Sequence, residues 1–239
     1  MQAWFRIPKT IVAVLALLVT STFVALAYEV EPMRIVLDIG SGRTSSILNV
    51  RNTRDQDLPI EIVMKRRVVH PDGSQEFVPA DEDFSIFPPL ALIEPGDSQA
   101  VRITYIGDPT IEDSQAFVAE VQEVPVSQDG FTGVVFAYNF GVAVYVRADQ
   151  AQADVSVGDV RRTEAGVEFD VTNGGSDFAM LGDLGVRIQA GDQIVNLTAA
   201  QVAEVIENPI IPPHASRVFQ LGIHDLPDGP VGITLARSF

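Results

Sequence analysis

The feature that most constrains this chain is residues 131–148, FTGVVFAYNFGVAVYVRA. Successive side chains of an extended strand point to opposite faces, so Val134, Phe136, Tyr138 and Phe140 fall in one row. Alternation alone reads as an ordinary core strand of a sandwich. The opposite face, with Val135, Ala137, Gly141, Ala143 and Tyr145, is also largely apolar, yet a sandwich buries only one face of each sheet. An apolar second face calls for a partner. A strand at a sheet edge can offer such a row to another chain, with backbone N–H and C=O groups ready to pair. Whether the row serves this protein or a client decides the function.

The N-terminus indicates where such an edge would be used. Arg6 and Lys9 precede an unbroken apolar run, residues 11–19, and Ala25-Leu26-Ala27 has the small-residue pattern of a cleavage site. Residues 1–27 read as a signal peptide cleaved after about Ala27, with a mature chain starting at Tyr28. The run itself is shorter than the ~20 residues of a membrane span. Extended through Thr20, Ser21 and Thr22 it becomes a marginal span, so a retained anchor is the alternative. With 16 basic and 32 acidic residues the formal charge is -16, and removing Arg6 and Lys9 leaves 14 against 32, or -18. Nucleic acid and anionic lipid both require a basic footprint, so neither is an expected partner. The chain has no cysteine, which excludes thiol catalysis and thiolate metal sites. Export without cysteine suits a bacterial periplasm, where disulfides are optional.

Short alternating segments fill the mature chain. Residues 33–38, 45–51, 61–69, 98–105, 115–124 and 131–147 read as strands, separated by turns such as Gly40-Ser41-Gly42, Pro71-Asp72-Gly73 and Pro95-Gly96-Asp97. Residues 148–153, ADQAQA, fit a linker. Strand-like segments then resume at 155–160, 167–171, 186–190, 193–197, 216–221 and 231–236, and residues 199–206 allow at most two helical turns. The expected fold class is all-β. Two Ig-like sandwiches are expected, one over residues 28–149 with the long strand 131–147 at its end, the other over 150–239.

The order of short motifs carries a resemblance. Met33-Arg34-Ile35-Val36 opens the first domain, followed by Asn49-Val50-Arg51-Asn52-Thr53, Leu58-Pro59, Phe87-Pro88-Pro89-Leu90, Ile93-Glu94-Pro95-Gly96, Val101-Arg102-Ile103 and Gln122-Glu123-Val124-Pro125. In this order they resemble the PapD-like periplasmic pilus chaperones, in particular the archaic, spore-coat-like branch. The match is strong in the first domain and thin in the second. The resemblance implies two Ig-like domains in a boomerang, binding pilus subunits (pilins) by donor-strand complementation and delivering them to an outer-membrane usher. That mode is an established form of β-augmentation. By resemblance, Val134, Phe136 and Tyr138 are the donor row with Phe140 its extension, and Arg34 grips the subunit's terminal carboxylate. Glu123, Arg147 and Asp225 fall where the family keeps an interdomain ion cluster. One position departs from the family: Ala143 stands where a second anchoring lysine is usual. Either Arg34 acts alone or a residue such as Lys65 or Arg102 compensates, and nothing in the sequence selects among these.

Catalysis finds no foothold in the sequence. His70, His214 and His224 lack metal-ligand spacing, and Asp81-Glu82-Asp83 lacks the glycine and distal glutamate of a calcium loop. Asn196-Leu197-Thr198 fits a glycosylation sequon that is idle in most bacterial exports. No enzyme activity, cofactor or metal is expected, and Pro88-Pro89 reads as a rigid turn, with a cis bond as one option. The alternative function is a structural or adhesive Ig-module surface protein. Such a subunit would carry a free N-terminal donor extension, for which residues 28–32 are too short.

Overall fold

A computed structural model describes residues 28–125, 137–206 and 208–236. Its long strands bury every second residue. In β4 (Leu58–Val69) the inward row is Leu58, Ile60, Ile62 and Met64; in β9 (Gln115–Glu123) it is Phe117, Ala119 and Val121; in β10 (Asn139–Arg147) it is Val142, Val144 and Val146. These rows face Leu48 and Val50 of β3 (Ser45–Arg51) and Val101 and Ile103 of β8 (Ser98–Tyr105) across one core. The sheet holding β3 and β8 has the order β1 (Glu29–Glu31), β3, β8, β6 (Phe84–Phe87). The facing sheet runs β2 (Arg34–Asp38), β10, β9, β4, β5 (Gln75–Pro79), with β7 (Leu90–Ile93) paired to the first residues of β4. Every pairing in this half is antiparallel except β10 with β2, which is parallel.

Strands β1, β5, β6 and β7 are not apparent in the sequence pattern. All are short, and β5 is exposed along its whole length, so no buried row marks it. Leu58 and Pro59, ahead of the strand expected from residue 61, already belong to β4; Pro59 pairs with Leu92 and its carbonyl accepts from the Val124 N–H. The Phe87–Pro88 peptide is cis.

The C-terminal half repeats the sandwich on a smaller core of Phe169, Val171, Leu181, Ile188 and Phe219. One sheet is β11 (Val155–Thr163), β12 (Gly166–Asn173), β17 (Ala215–Leu221); the other is β15 (Gln193–Leu197), β14 (Gly185–Ala190), β18 (Val231–Ala236). A two-strand ladder, β13 (Ala179–Met180) with β16 (Ile210–Ile211), lies apart from both. One helix, α1 (Ala199–Val205), is closed by a reciprocal Thr198–Gln201 capping box and buries Val202. Among the described residues no helix is long and apolar enough to cross a membrane.

The halves meet through a packed aromatic contact and through the β4–β5 loop, among other ties. Tyr145, buried on the outer face of β10, packs with Ala116 and Ile210, beside Val69, Phe178 and Met180. The β4–β5 loop also reaches across: Asn208 Nδ2 donates to the Gly73 carbonyl at 3.0 Å, and the Val218 N–H donates to that of Pro71 at 3.3 Å. Gly73 has φ +89°, and a Cβ there would lie 2.6 Å from Arg217 Nη2. Arg217 has nowhere to retreat. It is buried over the Phe219 ring and donates to the carbonyls of Asn208 and Ile210. Gly73→Ala is therefore expected to destabilise the protein by about 1–2 kcal/mol or more, seen as a lower thermal midpoint by circular dichroism. An unchanged midpoint would contradict this account of the junction.

Candidate functional site

Strand β10 is covered unequally on its two edges. Strand β9 pairs with it from Asn139 to Val146, whereas β2 pairs only from Ala143 onward, its last bond running from the Ala143 N–H to the Met33 carbonyl at 3.0 Å. Backbone groups two apart point the same way, so those of Asn139 and Gly141 face the edge that β2 leaves open. No described strand lies there. Along the same stretch the inward row leaves the core: Val142 is fully buried, Phe140 half-buried and Tyr138 40% exposed. Val134 and Phe136, the expected start of the donor row, lie outside the described residues.

The row is not all free for a client. Phe140 meets the Tyr28 ring edge-on at 4.7 Å and is half-buried against the protein's own core. The expectation that the apolar outer face needs an outside partner is corrected. Tyr145 and Ala143 need no outside partner, because the C-terminal half covers them. Only Ala137, Tyr138, Asn139 and Gly141 of the described stretch remain exposed.

Tyr138 is held by three side chains. Glu123 Oε2 accepts from its N–H at 3.0 Å, and the Tyr28 hydroxyl lies 2.8 Å from its carbonyl and 2.8 Å from that of Val121. Arg54 binds Glu123 through two parallel bonds, 2.6 and 2.9 Å, and its guanidinium lies over the rings of Tyr28 and Tyr138. Arg54 is in turn placed by Asn52, a fully buried residue that accepts from the Arg54 N–H and donates to the carbonyls of Gln56 and Ile93. The sequence motifs at 49–53, 93–96 and 122–125 thus converge at the open end of β10.

Arg34 stands on the outer face beside this edge, in a row across four strands: Arg34, Ala143, Val118, Lys65. Its guanidinium is half-exposed, 5.4 Å from the Tyr145 ring centre, and Nη2 is 3.6 Å from Asp183 Oδ2 of the C-terminal half. Ala143 leaves its own place in the row without charge. Lys65 shares the face, but it lies three strands from Arg34, about 14 Å, and pairs with Glu120 at 2.6 Å. Arg102 belongs to β8 in the facing sheet, so it does not join this row.

The three residues expected to form an interdomain ion cluster are not brought together. Glu123 ends β9 and Arg147 ends the antiparallel β10, which places them at opposite ends of the domain. Arg147 alone reaches the junction, where its partner is Asp177 at 2.6 Å; Asp225 lies exposed beyond β17, its carbonyl accepting from Gln193. Two further ties accompany the Arg147 pair: Arg67 to Asn208 at 2.8 Å and His214 to Asp113 at 2.9 Å. Sequence reasoning missed Tyr28, Arg54, Asp177 and Asp183. Arg54 follows directly on a quoted motif, but no spacing rule pairs it with a glutamate 69 positions away.

The family described as pili and flagellar-assembly chaperone, PapD N-terminal domain, matches residues 27–157, more than half of the chain. The chain belongs to this family. It is a pilus-assembly chaperone. Among curated protein sequences none matches it significantly. Solved structures share the chaperone's fold at low identity. A chaperone–tip adhesin complex of CFA/I fimbriae aligns with a TM-score of 0.56 at 14% identity, over 90% of this chain and 100% of that one. The CsuC–CsuE pre-assembly complex from the archaic Csu pili of Acinetobacter baumannii gives 0.54 at 12%, over 82% and 91%. The Salmonella enterica SafA pilin–SafB chaperone complex gives 0.53 at 18%, over 82% and 85%. The TM-scores are nearly equal across these systems, so they bear on the fold and not on the branch.

Ionisation at the strand's end sets a pH dependence. The Arg54 hydrogen bonds hold the Glu123 carboxyl below its ordinary value, helped by the Tyr138 N–H and opposed by burial. Burial pushes the Tyr28 hydroxyl upward, with Glu123 adding and Arg54 opposing. A carboxyl lowered on folding stabilises the fold fully above its unfolded pKa of about 4.3, and that stabilisation is lost as pH falls through the lower folded value. Urea midpoints of the wild type and Glu123→Gln should differ most near neutral pH and converge in acid. A constant difference down to pH 2 would contradict the assignment.

Proposed function

We propose that this chaperone acts in the periplasm, after removal of the leader at about Ala27, binding pilus subunits by donor-strand complementation and passing them to an outer-membrane usher. One observation carries the reading: β10 runs on past the end of β2, leaving the Asn139 and Gly141 backbone open beside an emerging Tyr138. An incomplete Ig-like subunit that lacks its last strand can use both, pairing its backbone with the open edge and burying the apolar row. By alternation Phe136 and Val134 continue that row, and each side chain fully buried would contribute on the order of 1.5–3 kcal/mol. The neighbouring structures are named as chaperone complexes with a tip adhesin, a tip adhesion subunit and a pilin.

Arg34 is the proposed anchor for the subunit's terminal carboxylate, because a half-exposed planar donor beside the open edge suits that group. With alanine at position 143, the anchor is a single arginine, and Asp183 already faces it at 3.6 Å. A bound carboxylate would compete with Asp183.

Two tests follow, both read as yield of a tagged, co-expressed subunit. Phe136→Asp with Tyr138→Asp should leave a folded chaperone that recovers no subunit; normal recovery would sink the donor assignment. Arg34→Ala should lower affinity about tenfold, while Asp183→Asn should raise it by freeing the guanidinium. Unchanged capture in both would place the anchor elsewhere.

A further inference from the structure

The cluster of Tyr28, Arg54 and Glu123 is costly to build. It brings an arginine largely out of water, and Arg54 Nε is buried with no acceptor among the described residues. A buried donor left unpaired destabilises by about 1–3 kcal/mol. The groups it holds belong to one peptide neighbourhood: the Tyr138 N–H goes to Glu123, and the Tyr138 carbonyl receives the Tyr28 hydroxyl and, at 3.3 Å, the Glu123 N–H. Among the described residues strand β10 has a neighbour on only one side here, and an end held by β9 alone would fray. A slip of one residue would turn Phe140 and Tyr138 to the outer face and Asn139 and Gly141 to the core.

We infer that Tyr28, Arg54 and Glu123 are positioning residues that lock the register and exposure of the open β10 edge for its client. Resting on the donor-strand reading, this role names the side chains that keep the edge ready in the free protein. Arg54 also sets the Tyr138 ring, lying over it at 5.4 Å, so the first exposed member of the row is held in place before a client arrives. Ordering the edge in advance lowers the entropy lost on binding.

The test uses the full mature chain and two variants. Tyr28→Phe removes one hydroxyl while keeping the ring against Phe140, and Arg54→Met removes the guanidinium while keeping much of its volume. Amide hydrogen exchange is read residue by residue, and capture is read as yield of a tagged, co-expressed pilus subunit. Both variants are expected to speed exchange at Tyr138 and Glu123 about tenfold or more, with Phe117 and Val144 unchanged, and to cut capture by a similar factor. Exchange that stays at the wild-type rate at Tyr138 in both variants overturns the lock. So does faster exchange with undiminished capture, since the lock would then do nothing for the client. Uniform acceleration, Phe117 and Val144 included, would show a general loss of stability and also overturn it. A wild-type chain that captures no subunit overturns the donor-strand reading itself, and that outcome appears in the control before any variant is compared.

Discussion

The register of β10 is the constraint on which the molecule depends. Its pleat assigns Val142, Val144 and Val146 to the N-terminal core and Tyr145 to the contact with the C-terminal half, and it fixes Asn139 and Gly141 toward the open edge. These assignments stand or fall together, because a shift of one residue exchanges the two faces. The fully buried valines hold the register from one end, and the side chains around Tyr138 hold it from the other. Between them lies the stretch that β9 alone supports among the described strands.

The junction between the halves depends on the same strand. Tyr145 places an aromatic ring against Phe178 and Ile210, and Arg147, two residues on, binds Asp177. The outer face of β10 therefore serves as a floor for the second sandwich near its C-terminal end. Arg34 reaches both Tyr145 and Asp183. The relative placement of the halves thus bears directly on the anchor, since Asp183 comes from one half and Arg34 from the other. The β4–β5 loop braces the arrangement from the side through Gly73 and Arg217.

Much of this was legible in the sequence, for physical reasons. Long strands that bury one face announce themselves by alternation, so β3, β8, β9 and the body of β10 fall where the pattern puts them. Strands such as β5 and β7 bury little and leave no such mark. The motif order pointed to the family that residues 27–157 match. Individual contacts were harder. The Glu123–Arg147 pairing failed because charge and family position say nothing about which ends of antiparallel strands meet; the structure gives each a different partner, Arg54 and Asp177. The apolar outer face was real, but composition cannot distinguish a client from the protein's own second domain.

The most direct test of the account is amide hydrogen exchange at Asn139 and Gly141, measured in the free protein and in a purified complex with a pilus subunit. In the free protein both amides point to the edge that no described strand covers and should exchange quickly; in the complex they should slow by about 100-fold or more, as backbone bonds to the subunit form. Amides that exchange equally fast in both states would mean that the subunit does not pair with this edge, and the central claim would be wrong.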